Sequence, residues 1–502
     1  MATIKIDPVT RLEGHLSVTV NVEGGVVKEA NVSGTMFRGF EKILVGRDPR
    51  DCPTLTQRIC GVCHTVHRLT SLRAIEDAAN VEIPYGAKLV RNLIQAVTYL
   101  YSHAAHLIVL QGPDFQDTVP ELTFPTGQGY VEAIKMQRRL HEILAIFGGK
   151  VPHHMTSVPG GVSIVPNVDH AGRALMRALE VSDWLGPTEN IPGVLDNVLA
   201  GTPDMSQGKG LNYVVKLLAA AVGAGAGSWG TGPGKFMAYG VFDMPDGSLL
   251  EPSGFFNGSS VEALDERQIT EDVTNSWLTD NSGGGYIANN EVTDMQYPKG
   301  NAYSYVKAIR YQGHATETGP LARLVVAGLD PFDLRKNLAG GANESNTLAR
   351  MIARAQETVF IRDKVLGVGL FEGQGWVDEL LTVLKSPGSA KFYEKYEVPK
   401  SGIGVGLWEA PRGATGHWIK IANKKVEKYQ INAGSTWNMN PRDATGQPGP
   451  LEQALAGVPV PDEANPINVL RTIHSFDPCL ACSVHVITDS GKKYTMQVTP
   501  GE

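Results

Sequence analysis

The sequence predicts an α+β fold that is predominantly α, with long buried helices forming a bundle core and small β-hairpins or sheets at its periphery. Long segments carry apolar residues on more than one face, which is typical of helices inside a large core. Short segments that alternate apolar and polar residues beside turn residues are typical of hairpins. The chain has 502 residues, of which 42% are apolar and 19% charged, enough for a substantial core. No internal repeat or low-complexity linker divides it.

The predicted elements follow from periodicity and from turn residues. A helix beginning near residue 86 should end before Gly112-Pro113, because proline and glycine terminate helices. The segments with helical patterns are 86–111, 127–149, 170–186 and 346–367. The segments with strand patterns are a hairpin at 15–34, an irregular, partly β insertion between about 225 and 310, and a second hairpin at 416–432.

The bulk composition excludes some functional classes. The formal net charge is −7 and no basic run is present, so the sequence does not indicate a nucleic-acid partner. The opening residues MATIKIDPVTRLEG lack a cationic segment followed by an apolar one, and they predict no signal peptide of the chain's own. The apolar stretch LLAAAVGAGAG at 217–227 is too short and too rich in glycine to span a bilayer. We therefore expect a soluble chain.

Cysteine placement is the most informative feature of the composition. The five cysteines are Cys52, Cys60, Cys63, Cys479 and Cys482. A sparse, odd number in a chain of this length is not typical of a disulfide framework. Four of them form two C-x-x-C pairs, in RICGVCHTVH near the start and in HSFDPCLACSVH near the end. This arrangement indicates metal ligands rather than disulfide bonds.

Several kinds of site are compatible with two such pairs. The run from Cys60 to His64 matches a covalent haem attachment motif, but that interpretation needs export and leaves the second pair without a role. A redox dithiol is expected beside a βαβ unit, which neither pair has. Four converging thiolates favour zinc or an iron–sulfur cluster by ligand softness, with nickel and copper behind. More than four hundred residues separate the pairs, so the whole fold must assemble the site.

The motifs taken together resemble those of a known family. Beside the two cysteine pairs, the sequence contains IDPVTRLEGH, GTMFRGFEKILVGRDPRD, GPLARL, EAPRGATGHW and STWNMNPRDATGQ in this order. The set resembles the signatures of the large, catalytic subunit of nickel–iron hydrogenases of the group-1-like uptake type. The likeness runs from about residue 4 to 485. It implies reversible heterolytic oxidation of H2 to protons and electrons, here expected to serve respiratory H2 uptake.

The resemblance also implies the metals and their ligands. Cys60 and Cys479 are expected to bind nickel as terminal thiolates. Cys63 and Cys482 are expected to bridge nickel to an iron that carries CO and CN ligands. Of these four residues, Cys479 is expected to take up the proton released from H2.

Further residues acquire expected catalytic roles through the matching motifs. Glu13 matches a carboxyl that passes protons on from the terminal cysteine, and burial would raise its pKa toward a useful range. Arg412 matches an arginine above the metals, where its permanent charge can polarise H2. Asp114 and Asp477 are expected to orient that arginine, and Pro411 is expected to line the cofactor.

A magnesium site is a further expectation from the resemblance. Its ligands would be Glu41, the main-chain carbonyl of Ile431 and His485, although magnesium generally prefers oxygen ligands. His67 is expected to donate a hydrogen bond towards a cysteine sulfur near the metals. The chain departs from the family pattern at His64, where a small residue is commoner.

The resemblance predicts one large domain over residues 1–485 and a tail, 486–502, that is removed on maturation. A nickel-dependent maturation protease and nickel-insertion proteins are therefore expected partners. Because the paired cysteines are used at one centre, electrons need an iron–sulfur small subunit, in an obligate heterodimer or a dimer of heterodimers. A membrane electron-transfer subunit and a periplasmic location, reached through the partner's signal, are also expected, with a cytoplasmic location as the alternative.

Two other functions are compatible with parts of the sequence. A large subunit that has lost its metals, like the quinone-site subunit of respiratory complex I, is disfavoured because all four paired cysteines are present. A structural zinc protein or assembly scaffold would use the same set of thiolates without catalysis. Bound nickel and iron would support the hydrogenase, and zinc alone would support the scaffold.

Overall fold

The computed structural model describes residues 2–200, 208–385 and 390–480. Within these ranges helices dominate, and small antiparallel sheets lie between and around them. The α-helices are α1 Phe40–Leu44, α2 Cys52–Thr56, α3 His64–Ala78, α4 Tyr85–Ala105, α5 Gln128–Gly148, α6 Val168–Leu185, α7 Ile191–Leu199, α8 Lys209–Gly223, α9 Pro320–Val326, α10 Leu334–Leu338, α11 Thr347–Leu366, α12 Trp376–Lys385, α13 Gly434–Asn438, α14 Pro450–Leu455 and α15 Ile467–Ser475. The β-strands are β1 Ala2–Ile6, β2 Leu16–Glu23, β3 Val26–Gly34, β4 Ser157–Val158, β5 Gly161–Val162, β6 Phe236–Ala238, β7 Val241–Asp243, β8 Leu249–Glu251, β9 Gly254–Phe256, β10 Val261–Glu262, β11 Ile269–Asp272, β12 Gly285–Tyr286, β13 Ala308–Tyr311, β14 Ser401–Ala410, β15 Gly413–Ala422 and β16 Lys425–Asn432.

The helical core is built around α4, which is buried along almost its whole length. It packs against α3, α5, α11 and α12, and it continues as a π-helix over His106–Gln111. The second long buried helix is α11. Asn346 caps its N-terminus, with a side chain that accepts the Ala349 N–H, and Gly367 caps its C-terminus in the left-handed conformation. These two helices form the rigid base on which the functional residues rest.

The predicted fold class is confirmed. The four segments with helical patterns form α4, α5, α6 and α11, and the two predicted hairpins form as β2–β3 and β15–β16. β1 adds a third strand to the first hairpin, and β14 adds a third strand to the second. Between residues 225 and 310 the strands are short, as expected for an irregular insertion.

Two elements beside the site are not evident from the sequence. α3 begins directly after Cys63, but inward-facing polar residues such as His67 and Thr70 hide its apolar periodicity. β14 alternates glycine with other residues in SGIGVGLWEA, a composition of low strand propensity. The three-stranded sheet β14–β15–β16 nevertheless lies directly against α3.

The glycines of β14 explain how closely α3 approaches the sheet. A methyl group built on Gly404 would lie 1.9 Å from the carbonyl oxygen of Ala74, and one on Gly406 would lie 2.2 Å from that of Thr70. Both obstacles are helix backbone, which cannot move aside as a flexible side chain can. Glycine at these positions therefore sets the distance between the sheet and α3, and through α3 the position of Cys63.

The run from Tyr85 to Phe115 is long and apolar enough to cross a membrane by length and composition alone. In the fold, 83% of its most apolar window is buried inside the protein. Core helices of large proteins pass the same test of composition, and this run is one of them.

Gly406→Ala is expected to destabilise the protein by about 3 kcal/mol, because the added methyl group overlaps helix backbone. Thermal unfolding measures the effect as a lower Tm. Gly285→Ala, in β12, is the matched control, since nothing lies within 4 Å of the methyl group added there. Equal and small shifts of Tm in both variants would contradict the close contact between β14 and α3.

Candidate metal centre

Three cysteine side chains from two distant parts of the chain meet in the interior. Cys60 follows a short 3-10 turn, Cys63 precedes the first residue of α3, and Cys479 follows α15. The Sγ atoms of Cys60 and Cys479 are 3.5 Å apart, and those of Cys63 and Cys479 are 3.9 Å apart. All three side chains are buried, and their sulfurs lie within 4.8 Å of one another.

This spacing fits metal coordination better than disulfide bonding. Sulfurs that share one metal at about 2.3 Å lie about 3.3 to 3.8 Å apart, depending on the bond angle. A disulfide needs about 2.05 Å between its sulfurs, which is far shorter than the two separations given above. Soft, buried ligands of this kind suit nickel, iron or zinc. Cys482, the predicted fourth thiolate, lies outside the described residues.

The fifth cysteine is separate from this group. Cys52 begins α2 and packs in an apolar cluster with Leu44 and Tyr429. Burial raises the pKa of its thiol to about 12. A thiol with such a pKa stays protonated, so Cys52 serves as a packed apolar side chain.

Backbone pairing holds Cys479 in place. It forms a parallel bridge with Glu13, whose N–H donates to the Pro478 carbonyl at 3.4 Å and whose carbonyl accepts the Leu480 N–H at 2.7 Å. The Cys479 N–H donates to the buried Ser435 Oγ at 2.8 Å. The N-terminal segment and α13 therefore fix this part of the chain against the other two sulfurs.

The sulfur of Cys60 receives hydrogen bonds from the turn that follows it. The N–H groups of Val62 and Cys63 each lie 3.2 Å from Cys60 Sγ. Such donors favour the thiolate over the thiol, which is the form that binds metals. Arg38 donates to the carbonyl of Ile59, directly before Cys60, and so holds the start of this turn.

Arg412 is a buried cation close enough to these sulfurs for their charges to act on it. It lies in the turn between β14 and β15, it is buried, and its Nε lies 3.0 Å from Asp477 Oδ1. Its Nη1 donates to Ser102 Oγ on α4 at 3.2 Å. Burial lowers the pKa of Arg412, but the charges of Asp477 and of the three cysteines outweigh burial and raise it well above its usual value. The guanidinium is therefore permanently charged.

The two aspartates predicted to orient Arg412 differ in their contacts. Asp477 faces Arg412 from a left-handed turn, with φ of 53°, just after α15. Asp114 pairs instead with Arg11 and with His474, whose Nδ1 lies 2.6 Å from Asp114 Oδ2. Because these neighbours occupy both of its carboxylate oxygens, the structure does not bring Asp114 and Arg412 into an ion pair.

Glu13 pairs with Cys479 through its backbone, and its side chain places a carboxylate oxygen in the protein interior. Its Oε2 has no hydrogen-bond partner among the described residues. Burial raises the pKa of Glu13 to about 7, the charge of Cys60 adds to this, and Arg412 and Arg38 oppose it. The carboxyl group can therefore bind and release a proton near neutral pH.

His67 belongs to a buried chain of polar side chains. Its Nδ1 lies 3.2 Å from His417 Nε2, and His417 Nδ1 lies 2.9 Å from the hydroxyl of Tyr429. That hydroxyl donates to Ser71 Oγ at 2.9 Å. Burial lowers the pKa of His67 to about 4, so the ring is neutral. This hydrogen bond uses Nδ1 of His67, and the expected hydrogen bond from His67 to a cysteine sulfur stays a prediction.

Two of the three predicted magnesium ligands lie together. Glu41 on α1 accepts the Ile431 N–H on Oε1 at 2.8 Å. Ile431 lies in β16, paired with His417 of β15. His485, the third predicted ligand, lies outside the described residues, as does the predicted tail over 486–502.

Three further residues support the predicted ones and carry no signal of their own in the sequence. Ser435 Oγ accepts the N–H of Cys479, and Ser102 Oγ accepts a hydrogen bond from Arg412. Arg323 donates to the carbonyl of Pro411, the predicted cofactor-lining residue, at 3.1 Å. Ser435 and Arg323 lie in the motifs STWN and GPLARL, but only the fold shows which backbone groups they bind.

One protein family matches almost the whole chain. The model of the family described as nickel-dependent hydrogenase matches residues 38–128 and 116–485, and a HoxL-like model matches residues 3–35. The chain belongs to the nickel-dependent hydrogenase family. The matched region contains the three clustered cysteines and the arginine–aspartate pair beside them.

Known hydrogenase subunits are similar to this chain over nearly its full length. The periplasmic [NiFeSe] hydrogenase large subunit of Desulfomicrobium baculatum is 36% identical and covers 99% of this chain and 97% of its own length. The uptake hydrogenase large subunit of Rhizobium leguminosarum bv. viciae is 32% identical, with 98% and 96% covered. A solved structure of the D. baculatum [NiFeSe]-hydrogenase matches at a TM-score of 0.82 and 35% identity, covering 96% of this chain and 100% of that chain. The fold is that of the hydrogenase large subunits.

Ser435→Ala is expected to loosen the segment that carries Cys479. The variant leaves a buried N–H without an acceptor, which costs about 1 to 3 kcal/mol. Nickel and iron in the purified protein should then be released faster by a chelator than from the wild type, as followed by elemental analysis over time.

Ser282→Ala is the matched control for this experiment. Ser282 is also buried, and its Oγ accepts the N–H of Asp294 at 2.9 Å within the β insertion. We expect a comparable loss of Tm with metal release at the wild-type rate. Equal release rates in the two variants would contradict the role given to Ser435.

Proposed function

We propose that this chain is the catalytic large subunit of a nickel–iron hydrogenase that oxidises H2 in respiratory uptake. One observation carries the proposal: three buried thiols, two from an early turn and one from the end of the described chain, lie within 4.8 Å of one another, beside a buried arginine–aspartate pair. Membership of the nickel-dependent hydrogenase family selects nickel and iron from the metals that such soft donors can bind.

The proposed metal group is nickel together with an iron that carries CO and CN ligands. Cys60, Cys63, Cys479 and Cys482 are the residues that would hold this group through their thiolates. When bound, the group supplies the heterolytic splitting of H2. The chain contributes a buried, preformed set of sulfurs, so binding requires little rearrangement of the described ligands.

Arg412 is proposed to polarise H2 and to stabilise the charges that separate. Its guanidinium is buried and permanently charged, and Asp477 holds it at 3.0 Å. In a pocket that excludes water, one fixed cation has a large electrostatic effect. Asp114 is proposed to act less directly, because it anchors α15 through His474, shortly before Asp477 in the chain.

Glu13 is proposed to receive the proton that Cys479 takes up. Hydrogen bonds between the two backbone segments pair Glu13 with Cys479, and the charge of Cys60 acts on the Glu13 carboxyl. Its Oε2 is buried without a partner among the described residues, so it is available for a proton. A pKa of about 7 populates both protonation states at neutral pH.

A magnesium ion is proposed between Glu41, the Ile431 carbonyl and His485. The hydrogen bond from Ile431 to Glu41 supports this, because it places a carboxylate against the backbone of β16.

His67 is proposed to steady the cysteine pocket. Its bond to His417 links α3 to β15, the strand that follows the Arg412 turn.

The electrons need a partner with iron–sulfur clusters, since the described residues hold a single cysteine group of this kind. We propose an iron–sulfur small subunit as the obligate partner, in a heterodimer or a dimer of heterodimers. A membrane electron-transfer subunit, nickel-insertion proteins and a protease that removes residues 486–502 complete the proposed set. The periplasmic and uptake hydrogenases among the relatives support a periplasmic location.

Metal analysis of the purified protein tests the proposed function. We expect about one nickel and one iron atom per chain, since this donor set is soft, and infrared bands from iron-bound CO and CN. The complex with the small subunit should reduce an artificial electron acceptor in the presence of H2. Zinc alone, without these bands, would indicate a structural protein and contradict the proposal.

Glu13→Gln is expected to lower H2 oxidation by at least about 100-fold, because the amide cannot relay a proton. Nickel and iron content and the CO and CN bands should stay at wild-type values. Exchange of isotope between D2 and water should fall in parallel, which identifies proton exit as the blocked step.

Glu452→Gln is the matched control for the proton-relay role. Burial raises the pKa of Glu452 to about 7 as well, but its carboxylate binds the Val32 N–H and the Tyr303 hydroxyl instead of facing the sulfurs. H2 oxidation in this variant should stay near that of the wild type. Normal turnover in Glu13→Gln would rule out the proposed relay.

A further inference from the structure

The GPLARL motif has no part in the proposed mechanism, yet the structure places it around the turn that carries Arg412. The motif opens α9, and Gly319 is the residue before that helix. The turn consists of Pro411 and Arg412 alone, since Ala410 pairs with Gly413 in the β14–β15 register. A methyl group on Gly319 would lie 3.4 Å from the Arg412 carbonyl oxygen, so the motif and the turn are in close contact.

The turn is not of the types that two-residue hairpins favour. Two-residue hairpin turns favour types I′ and II′, which need a positive φ at the first central residue. Proline locks φ at about −65°, so Pro411 excludes both types. The φ of Arg412 is not positive either. The turn therefore matches the twist of the flanking strands less well, and contacts from outside the hairpin can help to hold the backbone at Arg412.

Arg323, at the end of the motif, supplies these contacts. Its Nη1 donates to the Ala410 carbonyl at 2.8 Å, and its Nη2 donates to the Pro411 carbonyl at 3.1 Å. These two carbonyls are the last before Arg412. A single guanidinium thus fixes both peptide groups that lead into the proposed catalytic arginine.

Arg323 is itself immobilised. Its Nε and Nη2 donate to the two carboxylate oxygens of Glu357, each at 2.7 Å, and its Nη1 donates to Glu409 Oε2 at 2.7 Å. The guanidinium lies 4.9 Å from the centre of the Tyr99 ring. All of these side chains are fully buried. Only a planar fork with several donors reaches both carboxylates and both carbonyls at once.

Two side chains of α4 bond the carbonyl of Glu409, the residue directly before Ala410. Gln95 Nε2 donates to the Glu409 carbonyl at 2.8 Å, and the Tyr99 hydroxyl donates to it at 3.1 Å. Three successive carbonyls before Arg412 are therefore bonded to buried side chains. Tertiary contacts, rather than the hairpin, hold the approach to the turn.

We propose that Arg323, assisted by Gln95 and Tyr99, is a positioning residue that holds the β14–β15 turn so that the Arg412 guanidinium stays beside the cysteines. The proposal rests on the proposed function for the task given to Arg412. The competing explanation is that Arg323 only neutralises the three buried carboxylates around it. Neutralisation requires a positive charge, whereas positioning also requires the two carbonyl bonds.

Arg323→Lys separates the two explanations, because lysine keeps the charge and loses the planar fork. We expect wild-type nickel and iron content and a kcat for H2 oxidation lower by about 10- to 100-fold, as a displacement of about 1 Å produces. A crystal structure of the variant should show Arg412 Nε moved away from Asp477 Oδ1, a readout that does not depend on activity.

Arg362→Lys is the matched control. Arg362 is a buried arginine of α11 that also bonds a carboxylate, hydroxyls and a carbonyl, those of Asp363, Ser182, Thr188 and Gly186. We expect a comparable loss of Tm, with kcat and the position of Arg412 unchanged. A kcat loss equal to that of Arg323→Lys would mean that lysine in any such buried site impairs the enzyme, and would overturn the proposal.

A double variant measures the coupling between the two arginines. If Arg323 acts through Arg412, Arg323→Lys should change kcat little once Arg412→Lys is present, so the two fold-losses should not multiply. Losses that multiply would overturn the proposal. An unmoved Arg412 together with wild-type kcat in Arg323→Lys would overturn it as well.

If Arg323→Lys does not fold, the pair Gln95→Met with Tyr99→Phe tests the same idea without removing a charge. Both donors to the Glu409 carbonyl are then lost, and we expect a displaced turn and a lower kcat. A wild-type turn with wild-type kcat would overturn the proposal. Failure of the proposed function looks different, because the wild-type protein itself would then lack nickel and iron.

Discussion

The pairing of the Glu13 backbone with the segment at Cys479 is the constraint on which the whole site depends. Cys60 and Cys479 are 419 residues apart in the sequence, yet their sulfurs lie 3.5 Å apart. Two backbone hydrogen bonds with Glu13 and one from the Cys479 N–H to Ser435 Oγ hold the segment with Cys479 in position. Because the turn with Cys60 and Cys63 and the segment with Cys479 lie near opposite ends of the chain, the cluster of thiols is a property of the complete fold and of no shorter piece.

Charge balance in a dry interior is the second requirement. Arg412 faces Asp477, and Arg323 faces Glu357 and Glu409, all of them buried. A buried charge without a partner costs several kcal/mol, whereas a matched pair contributes orientation more than stability. These cations therefore have few alternative positions, which suits a site that must hold a small, apolar substrate beside metals.

Local patterns account for what the sequence predicts well. Helical periodicity and C-x-x-C spacing need only neighbouring residues, so the long helices and the cysteine pairs are evident in the sequence. Spacing alone placed zinc and iron–sulfur clusters ahead of nickel, and only the family likeness reversed that order. The sequence contains no local pattern that shows which distant residue a side chain will contact. The carboxylate of Asp114, for example, pairs with Arg11 and His474 instead of Arg412. The strand β14 is not evident in the sequence for a related reason. Its glycines lower its strand propensity, and only the backbone of α3 opposite them explains why they are there.

A contact between the two extremities of a polypeptide also has a kinetic meaning. The N-terminal hairpin and the helix after Cys63 leave the ribosome long before residue 479, because synthesis proceeds from the N-terminus. Closing so large a loop carries an entropic cost that only an almost complete core can offset. For an interval during biogenesis, the two early thiols must therefore be reachable from solvent, and this is the period in which metal ions can enter without unfolding the finished molecule.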